Sequence, residues 1–392
     1  MKCDVVVIGA GPGGSMAAKK AAEEGLDVVL LEKRQEIGEP VRCAEGISIK
    51  SELKELIKPE PDWISTEIKG ARLCSPNGDN VFMAGNDRGD EGGYILERKN
   101  FDRGLALQAA RAGAKVLVKT RATGLIRKDG MPCTVSAICQ GKTLRIDAPL
   151  VIGADGVESK TARWAGIDTR LNLKDIMVCA QFLVFDSTID QECCEFFFGN
   201  KMAPGGYIWI FPKSNSLANV GIGIQGSQSS SGEPIKLLEK FMKGKMPKAK
   251  ILQMVAGGIP TSGPIKTTTS DGIMLVGDAA HQSDPLTGGG IINAMKAGVM
   301  AGKVAGKSVS SGDVSAAALK EYEEIWRSSI GKEIEKRYHA KKFFLNLTDE
   351  DLNNLTRSLH GHNGSRIVTR DLLKLLFNLN PKMLWNLRNL FF

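Results

Sequence analysis

A glycine-rich turn between a short apolar run and a helical segment stands at the start of the chain. The run DVVVI at residues 4–8 is rich in β-branched residues, which is typical of a strand buried on both faces. GAGPGG follows at residues 9–14 and fits the GxGxxG pattern, and the helical segment SMAAKKAAEEG comes next. In such a unit glycines permit a tight turn, close approach of the backbone to a pyrophosphate, and close packing of the helix on the strand. The segment therefore predicts a dinucleotide-binding βαβ unit with contacts from Gly9, Gly11, Gly13 and Gly14.

An acidic residue ends the next predicted strand, DVVLLEK. This residue, Glu32, follows Gly14 by eighteen positions. A carboxylate there can accept hydrogen bonds from both hydroxyls of an adenosine ribose. Glycine-rich turns also arise for steric reasons alone, but here strand, turn, helix, strand and acid occur in the order that the motif requires. The ligand predicted at this point is FAD or NAD(P).

Length, charge and cysteine usage narrow the class of protein. The 392 residues are more than one hydrophobic core usually serves, so two lobes are expected. The eight cysteines form no CxxC pair and the four histidines have no metal-ligand spacing, which predicts reduced thiols, no metal site and a cytoplasmic location. We expect no export signal and no membrane span, which needs roughly 18 apolar residues. The net charge of +8 favours an acidic partner, either a nucleic acid, an anionic lipid surface or an acidic electron-carrier protein.

Two later segments each place an aspartate after an apolar strand. LVIGADGVESKTAR, residues 150–163, contains Asp155. DGIMLVGDAAHQSDPLTGGG, residues 271–290, contains Asp278 and is followed by a helix. The Asp278 carboxylate can accept a hydrogen bond from a ribitol hydroxyl.

The start of that helix is a predicted anion site. Its glycine loop passes through Gly288, and the free N–H groups at Gly290 and Ile291 can face a negative charge. A reduced flavin is an anion at its N1/C2 edge, so a helix start at this place favours the reduced cofactor.

GAGPGG with Glu32, GADG with Asp155 and GD with Asp278 together resemble the three signatures of the flavoprotein hydroxylase superfamily. The resemblance spans most of residues 1–310 and implies FAD as the cofactor. It implies a fold of the p-hydroxybenzoate hydroxylase type: an α/β, Rossmann-type FAD-binding domain, an antiparallel β-sheet substrate domain and a helical C-terminal region. The expected FAD domain covers 1–70, 96–170 and 262–310, the substrate domain 71–95 and 171–261, and the helical region 311–392.

The same likeness implies further cofactor contacts and leaves the electron donor open. Arg98, in LERKNFDRG, would approach the FAD phosphates, with a surface charge at a helix start as the alternative. Backbone near Ala122 would meet the adenine. A second GxGxxG is not visible, and members of this superfamily bind NAD(P)H transiently without one. We therefore expect either NAD(P)H or a ferredoxin-like protein as the electron donor. We expect no nucleic acid as a partner.

The loop PVRCAEG, residues 40–46, resembles the arginine-cysteine-glycine loop of the geranylgeranyl reductase branch. It retains Gly46 and departs from the branch at Ala44 and Glu45, where small residues are common. In this fold such a loop passes the pyrophosphate and reaches the isoalloxazine. The resemblance thus implies cofactor contacts by Arg42, Cys43, Ala44 and Gly46.

PGGYIWIFPK, residues 204–213, matches the YxWxFPK signature of that branch. In a strand of period two, Tyr207, Trp209 and Phe211 share one face and form an aromatic wall that suits a long apolar chain. The alternative is an ordinary core face. Reduction of an isolated isoprenoid double bond needs a hydride from flavin N5 and a proton for the other carbon, so Cys43 is the candidate catalytic proton donor or polarising group. The alternative for Cys43 is a buried structural thiol.

The segment SRIVTRDLLKLLFNLNPKMLWNLRNLFF, residues 365–392, combines apolar and basic residues. It predicts either a peripheral contact with the cytoplasmic face of a membrane or an ordinary packed helix. Arg370 is the candidate contact to a lipid headgroup phosphate.

The residues and resemblances together predict FAD-dependent saturation of the geranylgeranyl chains of archaeal-type ether phospholipids. Two alternatives stay open: an FAD-dependent monooxygenase of an aromatic or polyprenyl substrate, and a non-redox flavin-dependent cyclase or lipid-binding protein.

Overall fold

The computed structural model describes residues 1–48, 50–84, 92–127 and 133–360. These residues fold into two compact units. The first unit comprises 1–41, 98–171 and 260–337, and the second comprises 42–97, 172–259 and the residues from 338 onward.

Strands and helices alternate in the first unit, whereas strands dominate the second. The strands are, in chain order, β1 (Val5–Ile8), β2 (Val28–Leu31), β3 (Gly46–Ile47), β4 (Ile64–Ile68), β5 (Gly70–Cys74), β6 (Asn80–Ala84), β7 (Gly93–Leu96), β8 (Lys115–Leu117), β9 (Thr120–Ile126), β10 (Cys133–Cys139), β11 (Lys142–Ala148), β12 (Leu150–Gly153), β13 (Ile176–Phe185), β14 (Cys193–Phe198), β15 (Tyr207–Lys213), β16 (Leu217–Gln225), β17 (Lys250–Pro260), β18 (Thr269–Ser270) and β19 (Ile273–Leu275). The α-helices are α1 (Pro12–Glu23), α2 (Lys50–Leu56), α3 (Arg98–Arg111), α4 (Lys160–Trp164), α5 (Glu233–Lys245), α6 (Ile291–Ser310), α7 (Ala316–Trp326), α8 (Lys332–Phe344) and α9 (Asp349–His360).

The first unit is built on a six-stranded sheet in its described residues, in the order β18-β19-β12-β1-β2-β8. Strand β1 lies between β12 and β2 and runs parallel to both. The predicted strands around DVVVI and LVIG are therefore neighbours, although they are far apart in sequence. Both are buried along their whole length, as continuous apolar runs in a covered parallel sheet should be.

The two faces of this sheet are covered differently. Val5, Val7 and Leu30 point to the face that packs against helices α1, α3, α6 and α7. Val6 and Val29 point to the other face, where they pack with β10 and β11 of a three-stranded sheet ordered β11-β10-β9. The alternation follows from the period of two along each strand.

Helices α1 and α6 pack in direct backbone contact. A Cβ at Gly298 would clash with the Gly13 carbonyl oxygen, and one at Gly302 would lie 2.8 Å from the Ala17 carbonyl oxygen. The four-residue spacing puts these glycines on the same side of α6. Small residues at both positions allow the close approach, which holds α6 beside the helix that follows the glycine turn.

The second unit contains a seven-stranded sheet in its described part, ordered β17-β13-β16-β15-β14-β5-β6. Its pairings are antiparallel between β13 and β16, β16 and β15, and β15 and β14, while β14 and β5 are parallel. Leu238 and Met242 of α5 pack against one face, which carries Ile208 and Ile210 of β15. The predicted antiparallel substrate sheet is thus present.

The unit boundaries differ from the expected domain limits. The first segment of the first unit ends at Val41, whereas the expected limit was residue 70. The chain enters the second unit this early because β3 pairs with β7 in the small sheet β3-β7-β4, Gly46 with Ile95 and Ile47 with Tyr94. The helical C-terminal region is divided as well. Helix α7 belongs to the first unit, where Tyr322 and Trp326 are fully buried, and α9 belongs to the second.

Candidate functional site

The glycine turn of the first unit has an open side at the helix start. Helix α1 begins at Pro12 with Gly11 as its N-cap residue, which has no side chain to cap it. Gly9 has a φ of +108°, and a Cβ there would clash with the Ala154 carbonyl oxygen. A Cβ at Gly11, in contrast, would meet no atom within 4 Å. The turn thus keeps room in front of the N–H groups of the first helical turn, where a pyrophosphate binds favourably.

Glu32 lies directly after β2, as predicted, and is held by backbone donors. Its Oε2 accepts a hydrogen bond from the Ala10 N–H at 3.1 Å and its Oε1 accepts one from the Arg34 N–H at 2.9 Å. The side chain remains partly exposed. Because each carboxylate oxygen has two lone pairs, both can still accept a ribose hydroxyl.

Asp278 lies in the 3₁₀ turn Gly277–Ala280 after β19, next to the start of α6. A Cβ at Gly290, the N-cap residue of α6, would be 3.4 Å from Asp278 Oδ1. Burial raises the pKa of the Asp278 carboxyl, and the positive charge of Arg98 opposes that rise. The aspartate therefore lies beside the helix N-terminus, and contact of this polar site with the flavin end of the cofactor stays a prediction.

A buried chain of hydrogen bonds holds this turn, and the sequence analysis missed it. Gln282 Oε1 accepts from the Gly277 N–H at 2.7 Å, and Gln282 Nε2 donates to the Tyr322 hydroxyl at 3.0 Å. The Tyr322 hydroxyl donates to the Leu275 carbonyl oxygen at 2.7 Å. Nothing in a local sequence pattern reveals the bond between Gln282 and Tyr322, because the two residues are forty positions apart.

Three other predicted cofactor residues have protein partners in the structure. Both guanidinium nitrogens of Arg98 that face Asp102 donate to its carboxylate at 2.8 Å. The carboxylate of Asp155 accepts from the side chains of Ser159 and Thr161 and from the Thr161 N–H, and so fixes the start of α4. Ala122 pairs with Ala137 in the three-stranded sheet. Contacts of these residues with the cofactor stay predictions, as does the part played by Gly288, which has a φ of +73° in the loop before α6.

In the second unit, the loop that contains Cys43 is bonded to the seven-stranded sheet. Cys43 Sγ accepts a hydrogen bond from the Glu45 N–H at 3.2 Å, and the Cys43 carbonyl oxygen accepts one from Gln181 Nε2 at 3.0 Å. Gln181 Oε1 in turn accepts from Trp209 Nε1 at 3.2 Å. Gln181 thus connects the cysteine loop to the tryptophan of the aromatic signature.

Glu45 anchors the same loop through a buried ion pair. Its Oε2 lies 2.7 Å from Lys213 Nζ and accepts a hydrogen bond from Asn219 Nδ2 at 2.6 Å. The three residues are between 3% and 6% exposed. Asn219 also donates to the Ala44 carbonyl oxygen at 3.3 Å, and Lys213 forms a second ion pair with Glu97 at 2.9 Å. Glu45 has a φ of +71°, a conformation that non-glycine residues rarely adopt unless their surroundings impose it.

The predicted aromatic wall exists on β15. The rings of Tyr207 and Trp209 meet edge to face with centroids 5.9 Å apart, and Phe196 of β14 lies 5.6 Å from Tyr207 and 5.3 Å from Phe211. The face is opposite to the one covered by α5, since Ile208 and Ile210 point to α5. Trp209 is buried, whereas the other three rings are partly exposed.

Room for these rings is made by residues without side chains. A Cβ at Gly46 would lie 2.8 Å from Phe211 Cε2, and one at Gly221 would overlap the Trp209 ring. Gly46 therefore lets the cysteine loop lie directly against the aromatic wall. Phe196 and Gln181, both missed by the sequence analysis, carry no motif of their own; Glu45 and Lys213 stood in motifs but had no assigned role.

The predictions about membrane contact and metal binding can be compared with the described residues only in part. Arg370 and the basic segment 365–392 lie outside the described residues. Within those that are described, we find no helix that is both long and apolar enough to cross a bilayer. Histidine, cysteine and carboxylate side chains form no metal-binding group in the same part of the chain.

Comparison with known families assigns each unit. Residues 4–39 match the FAD dependent oxidoreductase model, and residues 175–259 match the model of the geranylgeranyl reductase catalytic domain. The second match corresponds to the strands and helix from β13 to β17. FAD is therefore the cofactor, as predicted, and the glycine turn, Glu32 and the Asp278 site fit it.

Solved structures support the fold. A geranylgeranyl bacteriochlorophyll reductase-like protein from Thermoplasma acidophilum is 36% identical with a TM-score of 0.93, and the match covers 99% of each chain. A p-nitrophenol 4-monooxygenase from Pseudomonas putida is 16% identical with a TM-score of 0.73, over 99% of this chain and 98% of the other. The second likeness concerns the fold alone and confirms the predicted hydroxylase-type architecture.

Curated relatives match along the whole chain. A digeranylgeranylglycerophospholipid reductase from Methanothrix thermoacetophila is 59% identical over 100% of both chains. The enzyme of the same name from Methanosarcina mazei is 53% identical over 100% of this chain and 96% of its own length. On this identity and coverage, the chain belongs to the digeranylgeranylglycerophospholipid reductase family.

Proposed function

We propose that this protein is an FAD-dependent reductase that saturates isolated double bonds in the geranylgeranyl chains of a glycerophospholipid. The observation that carries the proposal is the aromatic wall of Tyr207, Trp209 and Phe211, to which the Cys43 loop is bonded through Gln181. Relatives of this name at 46–59% identity over nearly the whole chain support it.

The chemistry of an unpolarised alkene sets what the protein must provide. One carbon takes a hydride and the other takes a proton, so each reduced bond consumes two electrons and two hydrogens. Bound FAD, once reduced, supplies the hydride. The chain's own residues must hold the apolar substrate, keep water away from it and deliver the proton.

We assign the proton to the Cys43 thiol. Transfer breaks the S–H bond, forms a C–H bond and leaves a thiolate. The Glu45 N–H, 3.2 Å from the sulfur, donates to that thiolate, and hydrogen bonds to a charged acceptor are the stronger kind. A proton from solvent then restores the thiol. The side chains of Gln181, Glu45 and Lys213 have a positioning role, because they fix the loop and none of their hydrogen bonds or ion pairs described above includes the Cys43 sulfur.

The substrate is assigned to the aromatic wall. Phe196 and Phe211 are partly exposed beside Tyr207 and offer an apolar surface that matches an isoprenoid chain. The electron donor in this proposal is NAD(P)H or a ferredoxin-like protein, and the net charge of +8 suits an acidic carrier. The proposed location is the cytoplasm, with peripheral contact with the cytoplasmic membrane face.

The test is anaerobic incubation of dithionite-reduced protein with digeranylgeranylglycerophospholipid. Flavin reoxidation together with a gain of two hydrogen atoms per double bond, measured by mass spectrometry, supports the proposal. A product that gains an oxygen atom when air is admitted, with no saturated product, would show a monooxygenase. Lipid that binds without reoxidising the flavin would show a lipid-binding protein.

A further inference from the structure

An exposed apolar edge lies next to a dense group of lysines in the second unit. Ile251, Leu252 and Met254 are 52%, 59% and 57% exposed. They belong to β17, which is the end strand of the seven-stranded sheet among the described residues. Leu252 and Met254 share one face of the strand and Ile251 has the other. Large aliphatic side chains are uncommon at an exposed sheet edge, because such an edge promotes association with another molecule.

The lysines lie immediately before these residues. Residues 240–250 contain five lysines, and residues 240–254 contain no aspartate or glutamate. All five are exposed, and none makes an ion pair with a carboxylate of the described chain. Helix α5 ends at Lys245 and β17 begins at Lys250, so only four residues separate the basic helix end from the apolar edge. The lysines are Lys240, Lys243, Lys245, Lys248 and Lys250.

We infer that this α5–β17 surface, residues 240–254, docks on an anionic lipid bilayer. Lysines attract lipid phosphates at the level of the headgroups, and aliphatic side chains gain free energy by entering the acyl region below them. A second copy of the chain fits less well, because pairing two such edges would bring two groups of lysines together. A nucleic acid would use the lysines but would leave the three aliphatic side chains in water.

Docking of this surface would bring the reductase to its substrate. This consequence rests on the proposed function, because that function names the substrate as a phospholipid. A phospholipid with two long isoprenoid chains resides in the bilayer. The surface belongs to the unit that carries the aromatic wall, and its residues are separate from those of the wall and of the Cys43 loop.

Vesicle cosedimentation of the FAD-loaded full chain tests the inference. The vesicles are phosphatidylcholine with or without phosphatidylglycerol. One variant joins Lys243→Gln, Lys245→Gln, Lys248→Gln and Lys250→Gln, and a second joins Ile251→Thr, Leu252→Thr and Met254→Thr, which keeps strand propensity. The matched control removes the same charge from exposed lysines elsewhere, at Lys54, Lys58, Lys115 and Lys142.

We expect salt-sensitive binding of the wild type to phosphatidylglycerol vesicles and a fall of more than about tenfold in the partition coefficient of either variant. The control should bind like the wild type. Quenching of a tryptophan in Leu252→Trp by brominated lipid should exceed that of the parent, and this measurement does not depend on the multiple variants folding. An equal fall in the partition coefficient of the control would overturn the inference. So would a wild type that does not bind the vesicles, or a tryptophan at position 252 whose fluorescence brominated lipid does not quench. A wild-type dimer that the strand variant splits, with vesicle binding unchanged, would show self-association instead.

Turnover of detergent-dispersed substrate separates this inference from the proposed function. We expect the wild type, both variants and the control to reduce dispersed lipid at equal rates. Failure of all four to reduce it would count against the proposed function and leave the vesicle result to decide the surface.

Discussion

Lys213 and Glu45 form a 2.7 Å ion pair in which both side chains are buried, 8% and 3% exposed. Lys213 ends the aromatic strand β15, and Glu45 lies two residues after Cys43. The pair therefore fastens the cysteine loop to the strand that carries the aromatic wall. Removing one partner of such a pair leaves an unpaired charge in the interior, which costs far more than the pair itself contributes.

We predict that Lys213→Met lowers the free energy of unfolding by about 3–5 kcal/mol. Adding Glu45→Gln to it should recover part of the loss, since no unpaired carboxylate would then be buried at that position. Urea unfolding of the two single variants and the double variant measures the coupling. The control is Lys69→Met, which breaks the exposed Lys69–Glu192 pair and should cost at most about 1 kcal/mol. Equal losses at Lys213 and Lys69 would contradict the anchoring role.

Replacement of Cys43 separates the two half-reactions. Cys43→Ser should slow flavin reoxidation by lipid about 10²–10⁴-fold, because a hydroxyl is a much weaker acid than a thiol. Flavin reduction should keep its rate, since the thiol acts on the alkene alone. Stopped-flow absorbance follows each step. Cys139→Ser is the control. Cys139 is partly exposed like Cys43, but it lies on β10 of the first unit, away from the aromatic wall in sequence and in unit. If the flavin of Cys43→Ser is reoxidised by lipid at the wild-type rate, Cys43 is only a packing residue.

Thiol labelling provides an independent check on Cys43. Burial raises the pKa of Cys3 to about 12, that of Cys74 and Cys193 to about 11, and that of Cys194 as well, so these four thiols stay protonated at neutral pH and react slowly. Cys43 is partly exposed. Limited alkylation of the folded protein, read by peptide mass mapping, should modify Cys43 well ahead of those four. Labelling of the four at the rate of Cys43 would count against the buried environment described here.

Loss of the Glu32 carboxylate should weaken FAD binding. Glu32→Ala removes acceptors for two ribose hydroxyls, and hydrogen bonds to a charged group contribute about 1.5–3 kcal/mol each, so Kd should rise about 10²-fold or more. Fluorescence titration of the apoprotein with FAD measures the change. Glu23→Ala, at an exposed position of α1, should bind FAD like the wild type. Unchanged affinity of Glu32→Ala would exclude the ribose contact.

A pH dependence of stability follows from Lys341. Burial lowers its pKa from 10.5 to about 8 in the folded protein, so between pH 8 and 10.5 the unfolded chain binds more protons than the folded one. Stability from this group therefore rises with pH across that window, by up to about 3 kcal/mol. Urea unfolding at pH 7.5 and 9.5 should show the gain in the wild type and in Lys332→Met, an exposed position of α8, but not in Lys341→Met. A gain of the same size in Lys341→Met would assign it to other groups.

Local patterns were sufficient for the parts of the cofactor site that lie close together in sequence. The β-branched run, the glycine turn and the acid after β2 are within 32 residues, and each has one backbone conformation that suits it. The structure therefore has β1, α1 and Glu32 where the sequence predicts them. The period of two likewise placed Tyr207, Trp209 and Phe211 on one face of β15.

Partners far apart in sequence were decided only by the tertiary structure. Glu45 meets Lys213 and Asn219 across more than 160 residues, and Gln181 meets Cys43 across 138. No periodicity encodes such pairs, because they depend on which strands become neighbours in the sheet. The same cause places residues 42–70 in the second unit, because Gly46 and Ile47 pair with a strand near residue 95. The sequence alone thus determined the local units and the chemistry of their side chains, whereas strand order decided which of those side chains meet, since burial of a charge is tolerated only where the fold supplies its partner.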